Sequence, residues 1–320
     1  MGMVPVGIQV GRNKSLRAYS IGAVCTDPAF RWQGLASKLL TACRQHARQS
    51  GASLMFISGD RSLYTRGGSV LYGSANKITI EKGTASQHHT NPSAAWNYRD
   101  MVPEDIFILH QLLTNKSSAF QWGISDLQQS IGTSAYATLN KKVQRIRIAY
   151  TGLNEIAAAI ILMLPGENTP IQDQQTGQVL EWAGDPSAAY ELMYDAISKY
   201  QLSSLSAFLP WQDIELIELL QKDHARSEKI HNAGTVLIVD EEALIQQAGL
   251  DQAASGEPYI MILGNNRYKL HMKDETAVIE DAAQLASAIF NPETVIAGSK
   301  TSGRNPFAIP LPYMYGLYFI

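Results

Sequence analysis

Arg31 and Gly34 stand three positions apart at the head of a helical pattern, an arrangement that can hold an anion. A glycine here lets backbone approach a ligand closely, because no Cβ intervenes. The first N–H groups of a helix lack partners within it, and the aligned peptide dipoles add partial positive charge. Such a helix start suits a pyrophosphate. Arg31 adds a fixed charge beside it. The small residues Ala36 and Ser37 leave room for a bulky ligand, and Gln33 and Leu35 complete the segment. Trp32 suits either stacking on a bound cofactor or capping the helix.

The neighbouring elements decide whether this turn is presented. Val4–Val10 and Leu16 to about Thr26 read as strands of a hairpin around Gly11–Lys14. Asp27-Pro28 ends the second strand in a turn. A helix follows from about Gly34 to Gln49, with Leu35, Leu39, Leu40, Cys43 and Ala47 predicted to form one buried face. Leu54–Ile57 reads as a buried strand, and Arg61–Arg66 as a short helix before Gly67-Gly68. Strand and helix alternating at this density imply an α/β layered fold.

Beyond this first unit, residues 1–80, the polar stretch 81–97 reads as a linker. Residues 98–240 read as a second α/β unit: a helix-rich start over Asp105–Ser130, strands Val143–Tyr150, Ile156–Leu164 and Val179–Ala183, a helix over Pro186–Tyr200, and a strand over Leu202–Leu209. Asp185-Pro186 echoes Asp27-Pro28 between a strand and a helix. Ser187-Ala188-Ala189-Tyr190 then replaces the first copy's Phe30-Arg31-Trp32-Gln33-Gly34, so the second copy lacks the anion turn. Residues 241–320 form a small α+β unit, with strands Tyr259–Leu263 and Tyr268–Met272 and a helix over Ala282–Ile289. Its aromatic, proline-rich end, Pro306–Ile320, is too apolar to stand free in water and is expected to dock.

Composition bounds the function. The 320 residues suit two or three domains at roughly 100–200 residues each. A net charge of −3 gives no broad basic surface for nucleic acid. The longest apolar run, Ile156–Leu164, falls short of the ~20 residues of a membrane span. Cys25 and Cys43 read as reduced, buried thiols of a cytoplasmic protein. His88 and His89 are adjacent, and no histidine or cysteine pair has the spacing of a metal site. No metal is therefore expected.

The segment Val24-Cys25-Thr26-Asp27-Pro28-Ala29-Phe30-Arg31-Trp32-Gln33-Gly34-Leu35-Ala36 resembles the acetyl-coenzyme A signature of the GNAT superfamily of N-acetyltransferases. That signature is Arg/Gln-x-x-Gly-x-Gly/Ala, after a strand ending in a hydrophobic-x-Thr/Val-x-Pro pattern. The resemblance implies an acyl-CoA N-acyltransferase fold, acetyl-CoA as cosubstrate and direct transfer of acetyl to an amine of a small molecule or peptide. It places the pantetheine arm along the backbone of Val24, Cys25 and Thr26, and the pyrophosphate over Arg31 to Ser37. Tyr64 aligns with the tyrosine that protonates the departing thiolate in many members. The departure is Gly68-Ser69-Val70, where members often carry Gly-Phe. Members begin with a strand, two helices and another strand ahead of the hairpin, so the first unit is expected to lack its N-terminal part.

The whole layout resembles tandem acetyltransferases of the enhanced-intracellular-survival type: an active domain, a degenerate one and a domain like sterol carrier protein. In that branch the C-terminal carboxylate reaches the active site, a role that would fall here to Ile320. The alternative reading is a catalytically inactive coenzyme-A-binding or scaffold protein of the same fold. The sequence is compatible with a homo-oligomer and leaves the acceptor open.

Overall fold

A computed structural model describes residues 1–11, 13–83, 96–167, 169, 175–251, 257–272, 275–296 and 305–318. The elements in chain order are β1 (Gly2–Val10), β2 (Lys14–Gly22), α1 (Leu35–Gln49), β3 (Leu54–Ile57), α2 (Ser62–Thr65), β4 (Ala75–Glu81), β5 (Asn97–Asp100) and α3 (Ile106–Thr114). Next come β6 (Ser118–Phe120), α4 (Ile124–Thr133), α5 (Ala135–Leu139), β7 (Val143–Tyr150), β8 (Ile156–Leu164), β9 (Thr176–Gly184), α6 (Pro186–Lys199), β10 (Ser204–Pro210) and α7 (Ile214–Lys222). The last are β11 (Arg226–Ile230), β12 (Thr235–Ile238), α8 (Glu241–Gln247), β13 (Tyr259–Gly264), β14 (Arg267–His271), β15 (Thr276–Ile279) and α9 (Ala282–Phe290).

The strands form three sheets, ordered β12-β3-β2-β1-β6, β11-β4-β10-β9-β8-β7-β5 and β13-β14-β15. The first two sheets exchange strands across the boundary expected at 81–97, while the strands after 240 keep to the third sheet. β4 crosses into the second sheet, between β11 and β10, while β6 and β12 close the two ends of the first. The first and second units therefore interlock.

β1 and β2 form the expected hairpin, in register from Gly2↔Gly22 to Val10↔Lys14. β3 runs parallel to β2, from Ala18↔Leu54 to Ile21↔Ile57. Alternation sorts this sheet into two faces. Ile8, Val10, Leu16, Ala18, Leu54 and Phe56 pack into one core with α9 and the chain's final segment. Ile21, Met55, Ile57 and Leu237 face the other way, against Leu40, Ala47 and Tyr64. Covered on both sides, β3 is buried at all four positions, which suits its unbroken apolar run.

Two burial expectations need correction. Only Leu40 and Ala47 of the apolar stripe of α1 are buried; Cys43 is half-buried, and Leu35 and Leu39 are 42% and 46% exposed. The first turns of α1 overhang the place where β2 and β3 stop pairing, so nothing lies beneath them to cover. Cys25 is exposed. Ala23 takes a left-handed φ of 49°, which ends β2 at Gly22 and turns Val24, Cys25 and Thr26 out of the sheet.

The final segment packs against both units. Phe307 is fully buried and Leu311 nearly so. Ser118 and Gln212 side chains donate to the carbonyls of Pro310 and Leu311 at 3.2 and 2.7 Å, and Ser130 Oγ donates to that of Leu317 at 2.8 Å. Ile320, His88 and His89 lie outside the described residues.

Candidate active site

Both Asp-Pro pairs cap helical turns, but differently. Asp185 Oδ1 accepts from Ala188 N at 2.8 Å, and α6 begins at once on Pro186. Asp27 Oδ1 accepts from Ala29 N at 2.8 Å, but Pro28–Phe30 makes only a single 3₁₀ turn, which Arg31 ends in extended backbone. Four residues, Arg31 to Gly34, thus separate this turn from α1. Trp32 has φ 66° and is fully exposed, and Gly34 takes φ 71° at the N-cap.

Gly34 supplies no side-chain cap. The first intrahelical bond runs from Lys38 N to Gly34 O at 3.0 Å, so the N–H groups of Leu35, Ala36 and Ser37 point out of the helix end unpaired within it. The first turn of α1 holds no acid, and the helix carries Lys38, Arg44 and Arg48 with no carboxylate. Arg31 is held over the loop by a bond from its Nε to Thr26 O at 3.2 Å. A Cβ on Gly34 would meet nothing within 4 Å, so the space above this turn is open.

Beside the turn lies a cleft of about 260 Å3 lined by Val24, Cys25, Thr26, Leu35 and Ala36, with Met1, Asp27, Phe30 and Leu39. Five of the ten expected cofactor residues therefore line one space. The other five, Arg31, Trp32, Gln33, Gly34 and Ser37, form the exposed rim at the head of α1. Phe30 and Leu39 were missed as lining residues. Spacing places Leu39 within the buried stripe of α1, and Phe30 lies ahead of the helix, where no period applies.

Tyr64 does not line the cleft. It is buried on α2, in the cluster that contains Ile21 and Ile57, the last paired residues of β2 and β3. It therefore stands at the point where the two strands part, on the same side of the sheet as α1. Burial holds its phenol above the ordinary value of 10, with Arg61 pulling modestly the other way.

The second unit has a matching wedge, and it is closed. β9 and β10 run parallel from Ser204↔Thr176 to Ala207↔Val179. Past that point only about 10 Å3 remains, among residues that include Lys116, Glu181, Trp182, Asp213 and Tyr313. Lys116 Nζ donates to Glu181 Oε1 at 2.7 Å and lies 3.9 Å from Asp213, whose other contact is Trp182 Nε1 at 2.7 Å. Burial lowers the Lys116 pKa, but Glu181 and Asp213 together outweigh it and leave it above 10.5. Asp213, buried and sharing that ammonium with Glu181, is pushed up. Gly316 of the final segment presses on β9 so closely that a Cβ would sit 2.6 Å from Leu180 O.

Residues 2–66, from β1 through α2, match the family model described as the acetyltransferase (GNAT) family. No curated protein matches the chain. Among solved structures, it is similar to a GCN5-related N-acetyltransferase from Anabaena variabilis (TM-score 0.62, 14% identity, 90% of this chain and 76% of that one). A probable N-acyltransferase from Enterococcus faecalis gives TM-score 0.63 at 12% identity, covering 88% of this chain and 71% of the other. Eis1 from Mycobacterium abscessus gives 0.60 at 13%, covering 96% and 85%. At such low identity these likenesses establish a shared fold, the acyl-CoA N-acyltransferase fold.

Proposed function

We propose that this chain transfers an acetyl group from acetyl-coenzyme A to an amine by direct attack. The observation that carries the reading is the cleft of about 260 Å3 beside the uncapped start of α1, with Arg31 held over the loop. The corresponding helix start of the second unit, α6, is capped by Asp185 and begins at once on Pro186, with no such loop.

The N–H groups of Leu35, Ala36 and Ser37, with Arg31, hold the pyrophosphate. The pantetheine arm follows the freed backbone of Val24, Cys25 and Thr26, and Phe30, Leu35 and Leu39 cover it with apolar surface that water otherwise touches. A backbone N–H at the end of β2 polarises the thioester carbonyl. The neutral amine attacks that carbon, the C–S bond breaks, and the nitrogen gives its extra proton to water or a carboxylate. Tyr64, whose phenol stays protonated at neutral pH, gives a proton to the thiolate and recovers one from solvent. The unit from β13 to α9 stands where the family resemblance places a sterol-carrier-protein-like domain.

Titration calorimetry tests the reading. The native protein binds acetyl-CoA, and the Arg31→Ala, Gly34→Glu double variant, folded by circular dichroism, does not. Folded native protein that leaves acetyl-CoA unbound overturns the proposal and leaves a scaffold of the same fold.

A further inference from the structure

Where β2 and β3 part, the face of the sheet opposite α1 is nearly full. Ser58 N still donates to Ile21 O at 3.2 Å. Beyond that bond Ala23 turns the first strand away, and the second bends at Gly59, whose N–H donates to Ile57 O at 2.7 Å. Alternation points Ser20 and Phe56 away from α1, opposite to their neighbours Ile21 and Ile57. On that side Ser20, Phe56 and Ser58 meet Met314, Tyr315 and Tyr318 of the final segment around a space of about 20 Å3. Some 10–15 Å3 is enough to hold one water. The space therefore has room for one small group, of the order of a water or a methyl.

The wall across this space is anchored. Asn232 is buried, and its amide grips the final segment at two points. Nδ2 donates to Pro312 O at 2.9 Å, and Oδ1 accepts from Met314 N at 3.0 Å. The same Oδ1 accepts from Ala233 N at 2.7 Å, and Ala233 O in turn accepts from the buried Tyr72 hydroxyl at 3.2 Å. Met314 itself is buried. The ring of Tyr315 lies over that of Tyr136 with centroids 6.1 Å apart, and Tyr318 stacks on Phe120 at 3.9 Å. A side chain packed in this way yields to added volume only through strained rotamers or backbone shifts.

A thioester seated at the end of β2 has its pantetheine arm on the side of the cleft beside α1. Its acyl carbons continue away from that cleft, toward the far side of the parting. We propose that Met314 and Tyr315 form the stop that limits the donor to a short acyl group, acetyl above all, and that Asn232 is the residue that positions them. The methyl of an acetyl group matches the space of about 20 Å3, whereas an octanoyl chain has to displace the wall. The proposal rests on the acetyl-transfer reading, and the test separates the two.

Calorimetric titration with acetyl-CoA, butyryl-CoA and octanoyl-CoA reads the stop without an acceptor. The native protein is expected to bind acetyl-CoA at least tenfold more tightly than octanoyl-CoA, with butyryl-CoA between them. Met314→Ala and Tyr315→Ala, each cut back to its Cβ, lower that ratio to threefold or less. Asn232→Ala, checked for folding by its melting curve, lowers it too, because the segment is no longer gripped. Native protein that binds octanoyl-CoA as tightly as acetyl-CoA overturns the stop and leaves the transferase reading standing, as does a ratio unchanged in both Met314→Ala and Tyr315→Ala. An Asn232→Ala protein that melts earlier and keeps the native ratio overturns the positioning role. Folded native protein that binds none of the three thioesters overturns the transferase reading, and the stop with it.

Discussion

Gly34→Ala separates the folding role of the turn from its binding role. At φ 71° an alanine costs ~1–2 kcal/mol, because its Cβ crowds the following carbonyl. Nothing else opposes it, since a Cβ there meets no atom within 4 Å in the free protein. A loss of that size lowers Tm by a few degrees, at about 2–4 °C per kcal/mol for chains slightly smaller than this one. The variant is therefore expected to fold, with a melting curve shifted by roughly 2–8 °C. The Cβ stands in the open space where the pyrophosphate is placed, and it screens the N–H groups of Leu35 and Ala36. Affinity for acetyl-CoA is expected to fall at least tenfold, which is about 1.4 kcal/mol. Calorimetric titration and differential scanning on the same preparation give both quantities. A variant that loses thermal stability as calculated and still binds acetyl-CoA like the native protein refutes the placement of the anion at this turn.

Tyr64→Phe is expected to lower kcat by roughly 10²–10⁴-fold, the usual contribution of a positioned proton donor, with little change in acetyl-CoA affinity. Because burial raises the phenol above 10, it stays protonated at neutral pH. The native rate therefore holds through neutrality and falls only above about pH 10, and the variant lacks that limb; a limb centred near pH 8 assigns the acid elsewhere. Cys25 is exposed in the cleft beside α1, so iodoacetamide should label it, and saturating acetyl-CoA should suppress the labelling, as peptide mass spectrometry reads. Lys116→Met strands Glu181 and Asp213, whose side chains are 9% and 6% exposed, and is expected to destabilise the fold by ~3–5 kcal/mol in urea titrations. A carboxylate whose folded pKa is raised stabilises most when protonated, and that stability is lost as pH rises. The Lys116→Met deficit should therefore shrink from pH 8 to pH 5, and a deficit independent of pH contradicts the ion-cluster account.

The turn at the head of α1 was legible because its physics is local. Asp27-Pro28, Gly34 and the periodicity of α1 lie within a few residues of one another, and the structure keeps that order. The hairpin and β3 were legible for the same reason. The apolar stripe of α1 was read correctly as a stripe, but a pattern of leucines looks the same over a sheet as over a cleft, so Leu35 and Leu39 were assigned to core. The exit of Cys25 from the sheet turned on Ala23, a residue with no sequence signal for a left-handed φ. β6 was absorbed into a helical reading, because three residues, Ser118–Phe120, carry no period of their own.

The pairing of β12 with β3, from Thr235↔Ile57 to Ile238↔Leu54, ties the first sheet to the order in which the chain is made. β3 leaves the ribosome roughly 180 residues before its outer neighbour exists, a wait of about 10–40 s at ordinary synthesis rates of ~5–20 residues per second. Throughout that interval an apolar strand, Leu54-Met55-Phe56-Ile57, carries a bare edge, and bare edges recruit other strands. Nascent chains halted before Thr235 should therefore be held by chaperones or lost to aggregation, while chains released past Ile238 can close the sheet.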